Sequence, residues 1–244
     1  EANYIRAIAL TPTFFEAHLN LGVMLKDLGR LEEAEASYNK VIALRPDFAE
    51  AHGNLGITLK ELGRFEEAEA SYVKAIALKP DFVEAHSNLG NTLKQLGRLE
   101  EAEASYTQAI EIKPDFVEAH YNLGLTLKEL SRLEEAEASF IQAIILKPNY
   151  AEAHGNLGIT LQEQAKLEEA EVRYRQAIAL KSDYVEAHTN LGVTLKELGR
   201  LDEAEDCYRQ AIALKPNYAD ARYNLALLLN KKQQYDKAAE QFDL

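Results

Sequence analysis

Residues 49–82 read AEAHGNLGITLKELGRFEEAEASYVKAIALKPDF, and this 34-residue pattern returns along the chain without a gap. Full copies occupy 15–48, 49–82, 83–116, 117–150, 151–184 and 185–218. A fixed period replaces the usual expectation of one or two aperiodic domains for a chain of 244 residues. Residues 1–14 read as the second helix of a truncated preceding repeat, and 219–244 as a truncated seventh repeat. The whole is expected to form one continuous solenoid domain. Glu1 opens in mid-repeat, so the chain is expected to be a fragment of a longer protein.

Each copy carries two helical patterns. In 49–82 the first half places Ala51, Leu55, Thr58, Leu59 and Leu62 on one stripe, and the second places Phe65, Ala68, Tyr72, Ala75 and Ile76 on another. Their spacing is mostly i, i+3, i+4, i+7, the mark of an amphipathic helix. Gly63 suits the end of the first helix, and Lys79-Pro80 ends the second. Asp47-Phe48-Ala49-Glu50 is expected to act as a capping box for the first helix, explaining the acid at 16, 50, 84, 118, 152, 186 and 220. Gly56 sits inside a helix at a cost of about 1 kcal/mol relative to Ala, which implies a close helix approach there. A lone helix pair cannot bury its apolar stripe, but stacking on neighbours does so. The expected fold is therefore all-α, a solenoid of antiparallel helix pairs.

Leu55, Gly56, Leu59, Ala68, Tyr72, Ala75 and Pro80 match the tetratricopeptide repeat, whose period is also 34. The resemblance covers the whole chain and implies a right-handed superhelix with the first helices (A) on its inner face. The chain departs from the family's pattern where His52 and its equivalents replace the usual aromatic. Ser182 replaces Pro, and Ser131 and Ala165 replace the inter-helix Gly.

On a helical wheel, Ile57 points away from the helix A stripe. Its equivalents are Val23, Asn91, Leu125, Ile159, Val193 and Leu227, six of the seven apolar. This strip is read either as packing between successive A helices or as part of a binding groove. Beside it runs a row of cations, Lys26, Lys60, Lys94, Lys128 and Lys196, interrupted by Gln162. On its other border stand Asn20, Asn54, Asn88, Asn122, Asn156, Asn190 and Asn224, each 34 residues after the last. An amide donates and accepts, so such a row matches the peptide groups of an extended chain. It resembles the asparagine ladder that grips peptides in the tetratricopeptide superhelix of O-linked N-acetylglucosamine transferase. A chaperone-tail clamp is not expected. Leu19, Gly53, Ser87, Tyr121 and Thr189 stand where the co-chaperone members of the family place a cation.

The remaining residues point away from catalysis. The net charge of −13 disfavours a phosphate backbone as partner. No apolar run approaches the roughly 18 residues of a membrane span, and no targeting segment is visible. Cys207 stands where other repeats carry Ser and reads as a surface substitution. His18, His52, His86, His120, His154 and His188 recur once per repeat, too far apart to converge on a metal, and are expected to pack. No phosphate loop, nucleophile elbow or triad is present. The expectation is a non-catalytic cytoplasmic scaffold without cofactor that binds a protein or an extended peptide. Two alternatives stand beside it. One is the substrate-recruiting region of a larger enzyme such as a glycosyltransferase. The other is self-association through the first helix (1–10) and the last (235–244), which lack polar caps.

Overall fold

The computed structural model describes residues 1–233; the expected last helix over 235–244 lies outside them. Every described element is an α-helix. Contacts divide the chain into two compact units, 1–126 and 127–244.

The first unit begins with α1 (Ala2–Leu10). Three A–B pairs follow: α2 (Phe15–Asp27) with α3 (Leu31–Leu44), α4 (Ala49–Glu61) with α5 (Phe65–Leu78), and α6 (Val83–Gln95) with α7 (Leu99–Ile112). The boundary falls within α8 (Val117–Glu129). The second unit holds α9 (Leu133–Leu146), α10 (Ala151–Glu163), α11 (Leu167–Leu180), α12 (Val185–Glu197), α13 (Leu201–Leu214) and α14 (Ala219–Lys231). In each unit, successive A helices touch: α2 with α4 and α4 with α6, then α10 with α12 and α12 with α14. The backbones of successive B helices stay farther apart, among the described residues, and meet only through long side chains, so each stack bends with its A helices on the inside.

The core is built as the spacing predicts. Leu25, Ala34, Tyr38, Leu55, Leu59, Ala68 and Tyr72 form one buried cluster in the first unit. In the second, Leu157, Leu161, Tyr174, Leu191, Leu195 and Tyr208 are buried equivalently. The helical glycine admits a ring. A Cβ on Gly56 would lie 2.7 Å from Cε1 of Tyr72, which comes from helix B of the same repeat. Gly63 ends α4 with φ +75°, where a side chain is disfavoured. Ser131 (φ 60°) and Ala165 (φ 58°) make the same left-handed turn despite their side chains.

The capping box does not form. The N-cap positions are Phe48, Phe82, Tyr150, Tyr184 and Tyr218, and none makes a side-chain cap hydrogen bond. Asp47 is instead held by Arg45 at 3.2 Å. The repeated acid pairs across the repeat, Glu50 with Lys79 and Glu152 with Lys181, each at 3.2 Å. The lysine ammonium also lies over the aromatic of the loop that follows it, 5.0 Å from the Phe82 ring centre in one repeat and 5.2 Å from that of Tyr184 in another.

Successive B helices are joined by charge. Arg64 grips Glu67 through two hydrogen bonds of 2.6 Å and reaches back to Glu35 of the preceding repeat, also at 2.6 Å. Arg98 does the same with Glu101 and Glu69, and Arg200 with Glu203 and Glu171. The guanidinium hydrogen bonds hold Glu67, Glu101 and Glu203 below the usual carboxylate range. The pairs with Glu67, Glu101 and Glu203 are exposed and contribute geometry more than energy, whereas those reaching back to Glu35, Glu69 and Glu171 are part-buried.

Candidate functional site

The seven asparagines occupy one position on seven A helices. Their backbone carbonyls are already used. In α4 the carbonyl of Asn54 accepts the hydroxyl of buried Thr58 at 3.0 Å, and Asn88, Asn122, Asn156 and Asn190 serve the next threonines in the same way. The side-chain amides differ. Those of Asn20, Asn54, Asn88 and Asn190 make no hydrogen bond with the described residues. Asn156 and Asn224 turn Nδ2 back to the carbonyls of Glu152 (3.0 Å) and Asp220 (2.9 Å) on their own helices. Asn122 donates to the neighbouring A helix, to Oδ1 of Asn91 at 3.1 Å. Asn20 is exposed and the other six are half-buried.

The apolar strip is largely closed by packing. Val23 (37% exposed) and Leu227 (43%) stand open, whereas Ile57, Leu125, Ile159 and Val193 are half-buried. Ile57, which the wheel turns away from the core, packs against the cluster containing Leu55 and Tyr72, because adjacent A helices lie close. Ile159 lines a cavity of about 410 Å³ with Gln162, Glu163, Tyr174, Asn190 and Glu197. In the cation row Lys26 pairs with Asp27 at 3.2 Å. Lys60, Lys128 and Lys196 have no ion-pair partner among the described residues.

The two breaks in these rows share one cause that spacing alone does not reveal. Every B helix from α3 to α13 except α9 sends a tyrosine towards the A face, and the hydroxyls of Tyr38, Tyr72 and Tyr208 are buried without a partner. Asn91 interrupts the apolar strip and accepts from the Tyr106 hydroxyl at 2.8 Å. Gln162 interrupts the lysine row and accepts from Tyr174 at 3.0 Å and Thr194 at 3.3 Å. The fourth repeat avoids the problem with Phe140. Opposite signs follow for one substitution. Tyr72→Phe removes an unpaired buried hydroxyl and should stabilise by about 1 kcal/mol, whereas Tyr106→Phe deletes a hydroxyl that is bonded to Asn91, leaving that acceptor with Asn122 as its remaining donor, and should cost about the same. Urea unfolding followed by far-UV circular dichroism measures both; equal signs would show that the hydroxyl pairing is immaterial.

The histidines fasten loops. Nε2 of His52 bonds to the carbonyl of Pro46 at 3.2 Å, His86 to Pro80 at 2.9 Å and His154 to Pro148 at 3.0 Å. His188 uses the carbonyl of Ser182 equally well, and Arg222 takes the role in α14 through Pro216. Burial lowers the His154 pKa, which favours the neutral ring. Cys207, expected at the surface, is half-buried in the second unit, and burial pushes its thiol up to about 11.

Two family profiles match the chain. That of the cilia and flagella-associated protein 70 C-terminal domain covers residues 48–244, and that of the tetratricopeptide repeat covers 13–81. The chain belongs to the tetratricopeptide-repeat family. No curated protein matches it. Solved tetratricopeptide structures share its fold. YrrB, a TPR protein with an unusual peptide-binding site, superposes with a TM-score of 0.67 at 23% identity, covering 80% of this chain and 97% of its own. PilF of Pseudomonas aeruginosa gives 0.74 at 20% identity, over 85% and 95% of the two chains. MamA gives 0.64 at 25%, over 68% and 96%. Tetratricopeptide arrays serve as protein-binding scaffolds, and no described helix here is long and apolar enough to cross a membrane.

Proposed function

We propose that this tetratricopeptide array is a non-catalytic scaffold that holds an extended peptide along its A helices, with the asparagine amides as the backbone contacts. One observation carries the reading. The amides of Asn20, Asn54, Asn88 and Asn190 have no partner among the described residues, so they are not occupied in joining helices. A donor and acceptor left free at a regular helix spacing suits a peptide backbone, whose groups alternate in the same way. YrrB has a peptide-binding site on the same fold, but identity at that level carries only the fold, and the reading rests on the amides.

Replacing Asn54, Asn88, Asn156 and Asn190 together by Ala should weaken the binding of extended peptides about ten- to thirtyfold. This assumes that each lost amide contact contributes a few tenths of a kcal/mol to affinity. Helicity and unfolding should change little, because three of the four amides hold nothing in the free chain. Unchanged affinity on a peptide array would overturn the role of the ladder.

A further inference from the structure

Two cavities on the A helices have the same place in the repeat and opposite charge. In the first unit a cavity of about 420 Å³ is lined by Lys60, Phe65, Asn91, Lys94, Gln95 and Asn122. Its counterpart in the second unit is lined by Glu163 and Glu197 with neutral Gln162. The difference comes from two substitutions. The position after the lysine is acidic in Asp27, Glu61, Glu129, Glu163 and Glu197, but it is Gln95 in α6. The lysine itself is replaced by Gln162 in α10. The first cavity has thus lost an acid and kept its cations, and the second has lost a cation and kept its acids.

The hydrogen bonds sharpen the first cavity further. Oδ1 of Asn91 accepts from both the Tyr106 hydroxyl (2.8 Å) and Nδ2 of Asn122 (3.1 Å), which fixes the amide and fills its acceptor. What Asn91 presents to the cavity is therefore its NH₂ group, a donor only. Gln95 and the lysines add further donors. Asn122 spends Nδ2 on Asn91 and keeps an acceptor oxygen, and Lys94 has a partner of its own, so Lys60 is the cation without an ion-pair partner among the described residues of the pocket. A half-buried pocket with that cation beside the Asn91 donor selects an anion, because charge-assisted hydrogen bonds to a carboxylate are about twice as strong as neutral ones.

We propose that the pocket of Lys60, Asn91, Lys94, Gln95 and Asn122 receives the carboxylate side chain of an Asp or Glu in the bound peptide. It gives the otherwise backbone-reading groove a preference for acid at one position. The proposal rests on the peptide-groove reading and adds to it a chemical class of guest. It uses none of the positions where a chaperone-tail clamp would place its cations.

The test is fluorescence anisotropy of the full chain with labelled dodecapeptides of Ser, Thr, Val and Ala. Each peptide carries one central Glu, one central Lys or neither. The Glu peptide is expected to bind about tenfold more tightly than the neutral one, as one charge-assisted contact allows. Gln95→Glu restores the acid found in other repeats at an exposed position, and should abolish that difference while leaving the neutral peptide within about twofold of its original affinity. The double variant Lys60→Gln/Lys94→Gln should do the same, and circular dichroism verifies that both variants fold. If the neutral and Glu peptides bind equally, or the preference survives both variants, the pocket is refuted while the groove stands. If no dodecapeptide binds, the groove reading fails and the pocket with it.

Discussion

Tyr72→Ala should destabilise the array by about 3–5 kcal/mol, the range for deleting a large aromatic from a packed core. The ring is fully buried, and it joins Leu25, Leu55, Leu59 and Ala68 in one cluster. Its removal empties the space between α4 and α5, and Gly56 has no side chain to move into it. Because repeats contact only their neighbours, the loss should be local. Hydrogen exchange should therefore show α4 and α5 opening before α6 and α7, and uniform loss of protection throughout the first unit would contradict this expectation.

Gly56→Ala sets two known effects against each other. Helix propensity alone favours Ala by about 1 kcal/mol. The new Cβ, however, would lie 2.7 Å from Cε1 and 2.9 Å from both Cδ1 and Cζ of a buried ring that has little room to shift. Overpacking of this kind costs about 1–3 kcal/mol, occasionally more, and with contacts this short the clash should win by about 2 kcal/mol. In a Tyr72→Leu background the ring is gone and only the propensity term remains, so the same substitution should stabilise. A double-mutant cycle in urea reads the reversal. If Gly56→Ala costs the same in both backgrounds, the glycine serves some contact other than the tyrosine.

The fold was legible because it is written in six full copies. Leu55, Gly56 and Tyr72 each specify little alone, but their return every 34 residues fixes helix, pair and stack together. The misreadings concern groups that periodicity does not display. Asp47 has the right spacing for a cap, yet Arg45 lies two residues away and takes its carboxylate. His52 was legible as a packing residue but not as a loop fastener, because its partner is a backbone carbonyl, which every residue carries. For Ile57 a wheel drawn for one helix left packing between A helices and an open groove side by side, and the structure packs it against the cluster of Leu55 and Tyr72. For the candidate site, the rows of amides and lysines were visible in the sequence. The reason for their interruptions was not, because Asn91 and Gln162 answer to tyrosine hydroxyls on a different helix. A departure from the repeat was the available signal, and it marked both places.

The charged joint between B helices also bears on how such a chain changes over generations. Arg64 reaches 29 residues back to Glu35 and three forward to Glu67, and Arg98 and Arg200 repeat the pattern. Each of these repeats thus supplies the basic half of the joint behind it, and the repeat before it supplies the acidic half. Duplicating or deleting a whole repeat brings an equivalent arginine against an equivalent glutamate, so no joint has to be reinvented. A slip of one residue between the two halves breaks the match where it falls. Gain and loss of length in this lineage should therefore come in whole repeats, which makes the number of repeats the easiest property of the array to alter.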